Sequence, residues 1–302
     1  MRLAVVTAAG VGSDDVDQPL LHAALSARGV PHDLVIWDDP ACDWDRYSMI
    51  LVRSTWDYTE RPEEYLVWTA SVADRLHNPA AVIAWNTDKV YLDELQHVGL
   101  PVIPTEFITP AESAGIDAMV TGVLAMAQSF GDRPGLVIKP TISAGSKNTS
   151  RHHEPASACA EIGRLLDEGH TLMVQPYIAG IDEDAETGAV FIEHNFSHGF
   201  AKAPMLTVEG RPPEPDRRHF VREQVTARQP SASQLEVAER VAAWTKQRFG
   251  QLLYQRIDMV PGPEGPLVIE LELIEPSLFL TVAPDAANHF AVAVERRLTA
   301  TT

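Results

Sequence analysis

The sequence predicts an α/β and α+β protein of two or three lobes, and three observations carry that expectation. Short apolar runs alternate with helical patterns from residue 1 to about residue 103. A strand–helix–strand segment follows a turn-rich connector at 101–115. The last third contains a hairpin of apolar strands interrupted by carboxylates. Alternation of the first kind implies a parallel sheet with helices on its faces, and ligands in that architecture bind beyond the carboxyl ends of the strands.

In the first segment Leu3–Val6, Leu34–Trp37, Met49–Val52 and Val82–Trp85 read as buried strands, with helices near 18–28 and 61–76. In the second, Leu136–Lys139 and Leu172–Gln175 read as strands around a helix at 155–168. In the third, strands are expected near 188–193, 198–203, 252–260 and 267–273, and helices near 233–249 and 285–298. The Pro- and Arg-rich stretch 208–232 has weak periodicity and reads as a long loop or lid.

Bulk properties narrow the function classes. The 302 residues suffice for two domains at about 150 residues each, with room for a third subdomain. A net charge of -18, from 42 acidic and 24 basic side chains, lacks the basic face that nucleic acid or an anionic membrane requires. Cys42 and Cys159 stand far apart, so neither a metal-type nor a redox-type pair is formed. No apolar run approaches the length of a bilayer span, and the N-terminus reads as a strand rather than a signal peptide. A cytoplasmic enzyme is the expectation.

The hairpin is the sharpest signal. Side chains alternate faces along a strand, so in Ile269-Glu270-Leu271-Glu272-Leu273 the two acids share one face and the three apolar residues the other. Carboxylates two residues apart lie roughly 7 Å from one another and repel unless a cation intervenes. The turn Pro261–Pro266 pairs this strand with Leu252–Val260 and brings Arg256 and Asp258 to a single face. Oxygen ligands without a His or Cys cluster suit Mg²⁺ or Mn²⁺. The alternative is a solvated acidic face neutralised by Arg256 and a lysine.

A second group of residues suits a phosphorylated ligand. Lys139 ends an apolar strand, and Thr141–Thr149 follows as a loop of small residues whose amides can face phosphate oxygens. Ser143, Gly145 and Ser146 lie within it. The order is not that of a Walker loop, and alone such a loop reads as a surface turn. Asn86-Thr87-Asp88-Lys89 reads as a helix opening with Asn86 or Thr87 as cap, leaving Lys89 against the helix dipole. Lys202 is a third basic contact. The strand at 171–178 breaks at Gln175-Pro176, where backbone and Gln175 can read a purine, and Glu186 can accept ribose hydroxyls.

Taken together and in order, these elements resemble the ATP-grasp superfamily over nearly the whole chain. The resemblance implies an ATP-grasp fold with an N-terminal Rossmann-like preATP-grasp domain at 1–103, a central lobe at 104–185 and a C-terminal lobe with the metal site at 186–302. It implies Lys89 and Lys139 on the phosphates, the loop with Ser143, Gly145 and Ser146 closing over them, and Gln175, Tyr177 and Ile178 at the adenine. Glu186 falls on the ribose. Asp258, Glu270 and Glu272 fall on two magnesium ions, which Mn²⁺ can replace. The superfamily usually has Asn where Glu272 stands, a departure that adds charge. Arg256 and Lys202 would stabilise the transferring phosphoryl group.

Within the superfamily, Arg53-Ser54-Thr55-Trp56-Asp57-Tyr58, Trp85–Lys89 and Glu270–Phe279 resemble a RimK-like bacterial branch that includes O-ureido-D-serine cyclo-ligases. That branch implies an ATP-dependent carbon–nitrogen ligase acting on a small amino-acid-like substrate, with a homodimer as the family-level expectation. Arg53, at a strand end, is placed to meet a substrate carboxylate, with Ser54, Thr55, Trp56 and Ser277 as further substrate contacts; a salt bridge is the alternative for Arg53. His198 and His219 are acid–base candidates. Three rivals stand beside this reading. One is an intermolecular amide ligase of the same superfamily. Another is a non-catalytic nucleotide-binding module. The third is a dinucleotide-dependent oxidoreductase, because Gly10-Val11-Gly12-Ser13-Asp14-Asp15 begins like a dinucleotide fingerprint but has Asp15 at the third glycine.

Overall fold

The computed structural model describes residues 1–11, 14–111, 114–132, 134–206 and 223–300. Three sheets follow one another along the chain. The first contains β1 (Leu3–Thr7), β2 (His32–Ile36), β3 (Met49–Ser54) and β4 (Leu76–His77), all parallel, in the order β2-β1-β3-β4. Helices α1 (Gln18–Ala27) and α2 (Pro62–Ser71) make the crossovers, each with Pro in its first turn, where the missing N–H costs nothing.

Val82–Trp85 is not a strand. It lies within α3 (Ala80–Asn86), where Val82, Ile83 and Asn86 are buried at helical spacing. A short apolar run fits either element, and Pro79 directly before it supplies a helix start. Asn86–Lys89 does not open a helix either. Asn86 ends α3, the Thr87 hydroxyl donates back to Ile83 O (2.8 Å), and α4 runs over Tyr91–His97.

The second sheet is antiparallel, in the order β5-β8-β6-β7: β5 (Glu106–Ile108), β6 (Leu136–Pro140), β7 (Ser150–His152) and β8 (Leu172–Pro176). α5 (Ile116–Ala127) and α6 (Pro155–Asp167) cover it through Val120, Val123, Ile162 and Leu165. After the short α7 (Gly180–Asp184) comes the third sheet, also antiparallel, in the order β11-β10-β9-β12-β13. Its strands are β9 (Glu186–Ile192), β10 (Asn195–Lys202), β11 (Val225–Ala227), β12 (Tyr254–Gly262) and β13 (Gly265–Glu272).

Between β11 and β12, α8 (Ala232–Phe249) starts at a capping box: Gln234 N donates to the Ser231 hydroxyl and Ser231 N to the Gln234 side chain. The expected loop at 208–232 therefore ends in a strand and the helix start; its residues 208–222 lie outside the described residues. The last helix, α9 (Pro284–Ala300), returns to the first sheet. Phe290, Val294 and Leu298 pack with Leu21 and Leu25 of α1 and Leu3 and Val5 of β1. The connector at 101–103 is pinned to β13 by Val268 N to Pro101 O (2.8 Å) and Ile103 N to Val268 O (3.1 Å). No helix among the described residues is long and apolar enough to cross a membrane.

Candidate active site

The β12–β13 ladder pairs Arg256 with Glu272 and Asp258 with Glu270. A bulge follows, because Met259 pairs with Val268 and leaves Ile269 as the extra residue. Ile269 therefore does not share the Leu271 and Leu273 face, as strict alternation predicts. It packs with Ile103, Ile178 and Val260, while Leu271 and Leu273 enter the core under α8. Carboxylate oxygens of Asp258, Glu270 and Glu272 all lie within 4.8 Å of one another.

Cations now neutralise these acids. Arg256 donates to Asp258 (2.8 Å), to Glu272 and to Ser277 O (3.0 Å). Lys202 Nζ lies 2.5 Å from Glu186, 3.4 Å from Asp258 and 3.6 Å from Glu223. Lys89 Nζ donates to Ser143 O (2.6 Å) and lies 3.3 Å from Glu270. Burial raises the carboxyls, but Arg256 and Lys202 hold Asp258 below its ordinary value and Lys89 and Lys139 do the same for Glu270. Burial, with Glu270 and Asp258 alongside, drives Glu272 well up, and burial takes Glu186 to about 8.

All of these side chains except the fully buried Asp258 line one cavity of about 670 Å³, enclosed by the second and third sheets, by N-terminal residues outside the first sheet such as Trp56 and Tyr58, and by the segment 275–281. Lys139, at the end of β6, also lines it, and burial lowers its ammonium to about 8. Among the described residues that ammonium has no ion pair or hydrogen bond. Ser143, Gly145 and Ser146 line the cavity as well, and positive φ at Gly145 (59°), Ser146 (58°) and Asn148 (56°) curls the loop tightly. Gln175, Tyr177, Ile178 and Glu186 line the cavity too. The Gln175 amide donates to the Thr105 hydroxyl (2.8 Å), and Tyr177 to Asp182 (2.5 Å).

The expected substrate residues divide. Trp56 and Ser277 line the cavity. Arg53, Ser54 and Thr55 do not: they are at most 2% exposed and bonded elsewhere. Arg53 lies over the rings of Tyr254 (5.3 Å) and Phe290 (5.8 Å) and donates to Pro276 O (2.6 Å). The Ser54 hydroxyl bonds Thr7 and Gln18, and that of Thr55 bonds Tyr65. Of the two histidine candidates, His198 also turns away from the cavity. Its Nε2 faces Leu278 O (2.7 Å) and must carry the proton, since a carbonyl only accepts. His219 lies outside the described residues.

Sequence reasoning missed what holds segment 275–281. Asp17, 1% exposed, accepts from Leu278 N (2.6 Å), Phe279 N (2.9 Å) and Leu280 N (2.7 Å). Arg53, Arg256 and His198 bind the carbonyls of residues 276, 277 and 278. Glu275, 8% exposed, lines the cavity and was also missed. Asn86 joins α3 to the acidic strand through Leu271 O (2.8 Å) and Leu273 N (2.7 Å).

The donor set suits a hard divalent cation: three carboxylates, oxygen only, converging from two strands. The unpaired Lys139 beside a curled backbone suits a polyphosphate.

Comparison with known proteins gives the same direction. Residues 3–78 match the family model of the D-cycloserine synthetase DcsG N-terminal domain. The cycloserine biosynthesis protein DcsG of Streptomyces lavendulae is 35% identical, over 98% of each chain. The crystal structure of D-cycloserine synthetase DcsG superposes with a TM-score of 0.88 at 33% identity, over 99% of this chain and all of that one. The D-alanine–D-alanine ligase of Bacillus anthracis shares the fold at 13% identity, with a TM-score of 0.70 over 100% of this chain and 97% of that one. The chain therefore belongs to the D-cycloserine synthetase family of ATP-grasp ligases.

Proposed function

We propose that the protein is an ATP- and Mg²⁺-dependent carbon–nitrogen ligase that closes O-ureido-D-serine into D-cycloserine, releasing ADP, phosphate, carbon dioxide and ammonia. The observation that carries this reading is the cluster of Asp258, Glu270 and Glu272 carboxylates, the latter two lining one cavity with Lys89, Lys139, Lys202 and Arg256. Identity of 35% along the chain to a cycloserine biosynthesis protein supports the choice of substrate.

In this reading Asp258, Glu270 and Glu272 hold two Mg²⁺ ions, with Mn²⁺ able to substitute. Such ions neutralise phosphate oxygens as the γ-phosphoryl group moves. Lys89, Lys139 and the amides of Ser143, Gly145 and Ser146 hold the phosphates. Gln175, Tyr177 and Ile178 receive the adenine and Glu186 the ribose. Arg256 and Lys202 stabilise the oxygens that carry developing charge. The substrate carboxylate takes the phosphoryl group, the nitrogen bonded to the side-chain oxygen then attacks the acyl carbon and expels phosphate, and water cleaves the carbamoyl group from that nitrogen as carbon dioxide and ammonia. Both ends belong to one molecule, so holding them together lowers the entropic barrier. Trp56 and Ser277 border the substrate, while Arg53 acts at one remove by fixing Pro276. The lobes are 1–103, 104–185 and 186–302, and the assembly is a cytoplasmic homodimer, which light scattering on the purified protein checks.

The test is phosphate release with ATP-Mg²⁺ against O-ureido-D-serine and a panel of single and paired D-amino acids. Release with O-ureido-D-serine alone, together with D-cycloserine in the product, is expected. Release only when two amino acids are supplied together would replace the cyclisation with intermolecular ligation.

A further inference from the structure

The acids of the cavity divide into two kinds. Glu186, Glu270 and Glu272 each have a lysine or arginine within ion-pair distance, as does the buried Asp258 beneath them. Glu275 has none. Among the described residues its carboxylate makes no side-chain hydrogen bond or ion pair, and the polar group against it is its own backbone amide. Lys89 is the cation that acts on it most strongly, and that ammonium is already committed to Ser143 O and Glu270. Glu275 is nonetheless more than nine-tenths buried and faces the cavity.

Its surroundings are aromatic. Trp56 and Tyr58 line the same cavity, and the charge of Glu275 is the foremost electrostatic influence on both Tyr58 and Tyr65. Burial lifts the Glu275 carboxyl to about 7, as befits an acid with no counter-ion among the described residues. A buried carboxylate in a cavity that aromatic rings also line suits an alkylammonium, which gains a charge-assisted hydrogen bond from the acid and cation–π attraction from a ring within reach. It does not suit a phosphate or a carboxylate.

We infer that Glu275, in the cavity that Trp56 and Tyr58 also line, receives the protonated amino group of the substrate and makes the enzyme selective for amino acids over their desamino counterparts. This rests on the reading above, in which the activated carboxylate belongs to an amino acid. It adds the site that recognises the other end of that molecule and leaves the cations of the cavity to phosphate and carboxyl oxygens.

The test compares wild type, Glu275→Gln and Glu275→Asp with O-ureido-D-serine and with its desamino analogue, 3-(ureidooxy)propanoate. Unchanged melting temperature and ATP-Mg²⁺ affinity certify that the variants fold. Glu275→Gln is expected to raise KM for the amino substrate on the order of 10- to 100-fold, while kcat/KM for the desamino analogue stays within about twofold. Glu275→Asp, which keeps the charge, is expected to recover part of the selectivity. Equal losses on both substrates, or no loss on the amino substrate, would overturn the inference. If wild type releases no phosphate with O-ureido-D-serine, the proposed reaction fails by itself. The same comparison then runs on whichever D-amino acid of the panel is active, and indifference to its amino group overturns the role of Glu275.

Discussion

Asp17 is the most informative residue to change, because one carboxylate serves three consecutive buried amides. Leu278 N and Phe279 N donate to one oxygen and Leu280 N to the other, all within 2.9 Å. Burial pushes the Asp17 carboxyl above its ordinary value, with Arg53 the chief opposing influence. In Asp17→Asn the carbonyl oxygen can keep the Leu278 and Phe279 amides, but the NH₂ group then meets Leu280 N, donor against donor. One unsatisfied buried donor costs about 1–3 kcal/mol, and the surviving bonds lose their charge assistance, so a loss of about 2–4 kcal/mol is expected. Asp17→Ala orphans all three amides and leaves the buried Arg53 without its balancing charge, so its loss should be larger still. Urea unfolding measures the stability, and steady-state kinetics measure the effect on segment 275–281, where KM for the carboxylate substrate should rise more than KM for ATP. A midpoint for Asp17→Ala equal to that of wild type, with unchanged KM, would refute the claim that this carboxylate holds the segment.

Other consequences can be checked in parallel. Glu270→Gln should leave the unfolding midpoint near wild type, because Glu270 is partly exposed, yet lower turnover by at least about 10²-fold through the loss of an anionic ligand; full activity would count against the metal assignment. Burial lowers the Lys139 ammonium to about 8, so it is charged below that pH and neutral above it. Affinity for ATP-Mg²⁺, followed by calorimetry, should therefore fall as pH rises through about 8, and Lys139→Arg should remove that fall. In Gly188→Ala the new Cβ would sit 2.0 Å from Phe200 Cζ, and the Phe200 ring, 4.4 Å from that of Phe279, has no room to move. A destabilisation of about 1–3 kcal/mol is expected in urea unfolding, with lost activity because Gly188 pairs with Asp258.

The acidic hairpin was legible because strand alternation is local. A period of two fixes which side chains share a face, and the Pro- and Gly-rich turn fixes the partner strand, so the meeting of Asp258 with Glu270 and Glu272 across the ladder follows from sequence alone, whereas the exact pairs Arg256–Glu272 and Asp258–Glu270 depend on the bulge. The bulge at Ile269 was not legible, since an extra residue in a ladder has no signature in a run of Leu, Val and Ile. Glu275 escaped for a related reason. It stands three positions beyond Glu272, out of phase with the acidic face, and enters the cavity only because the strand ends at Glu272 and the chain turns. Arg53 does stand at the end of a parallel strand, as expected, but the direction of its side chain is set by Tyr254, Phe290 and Pro276, which lie more than two hundred residues away. Val82–Trp85 was misread as a strand because four apolar or nearly apolar residues carry too little periodicity to choose. Distant pairing, such as that of Asp17 with residues 278–280, leaves no trace in local pattern.

The return of α9 to the first sheet has a consequence for synthesis. Leu3, Val5, Leu21 and Leu25 are made more than two hundred and sixty residues before Phe290, Val294 and Leu298, which help to shield them. An emerging chain therefore carries an open greasy surface until α9 has been made, so the first sheet cannot finish packing before then. A ribosome-bound chain stopped at Ala283 should accordingly be cut by protease within residues 1–54, whereas a released chain that includes α9 should resist.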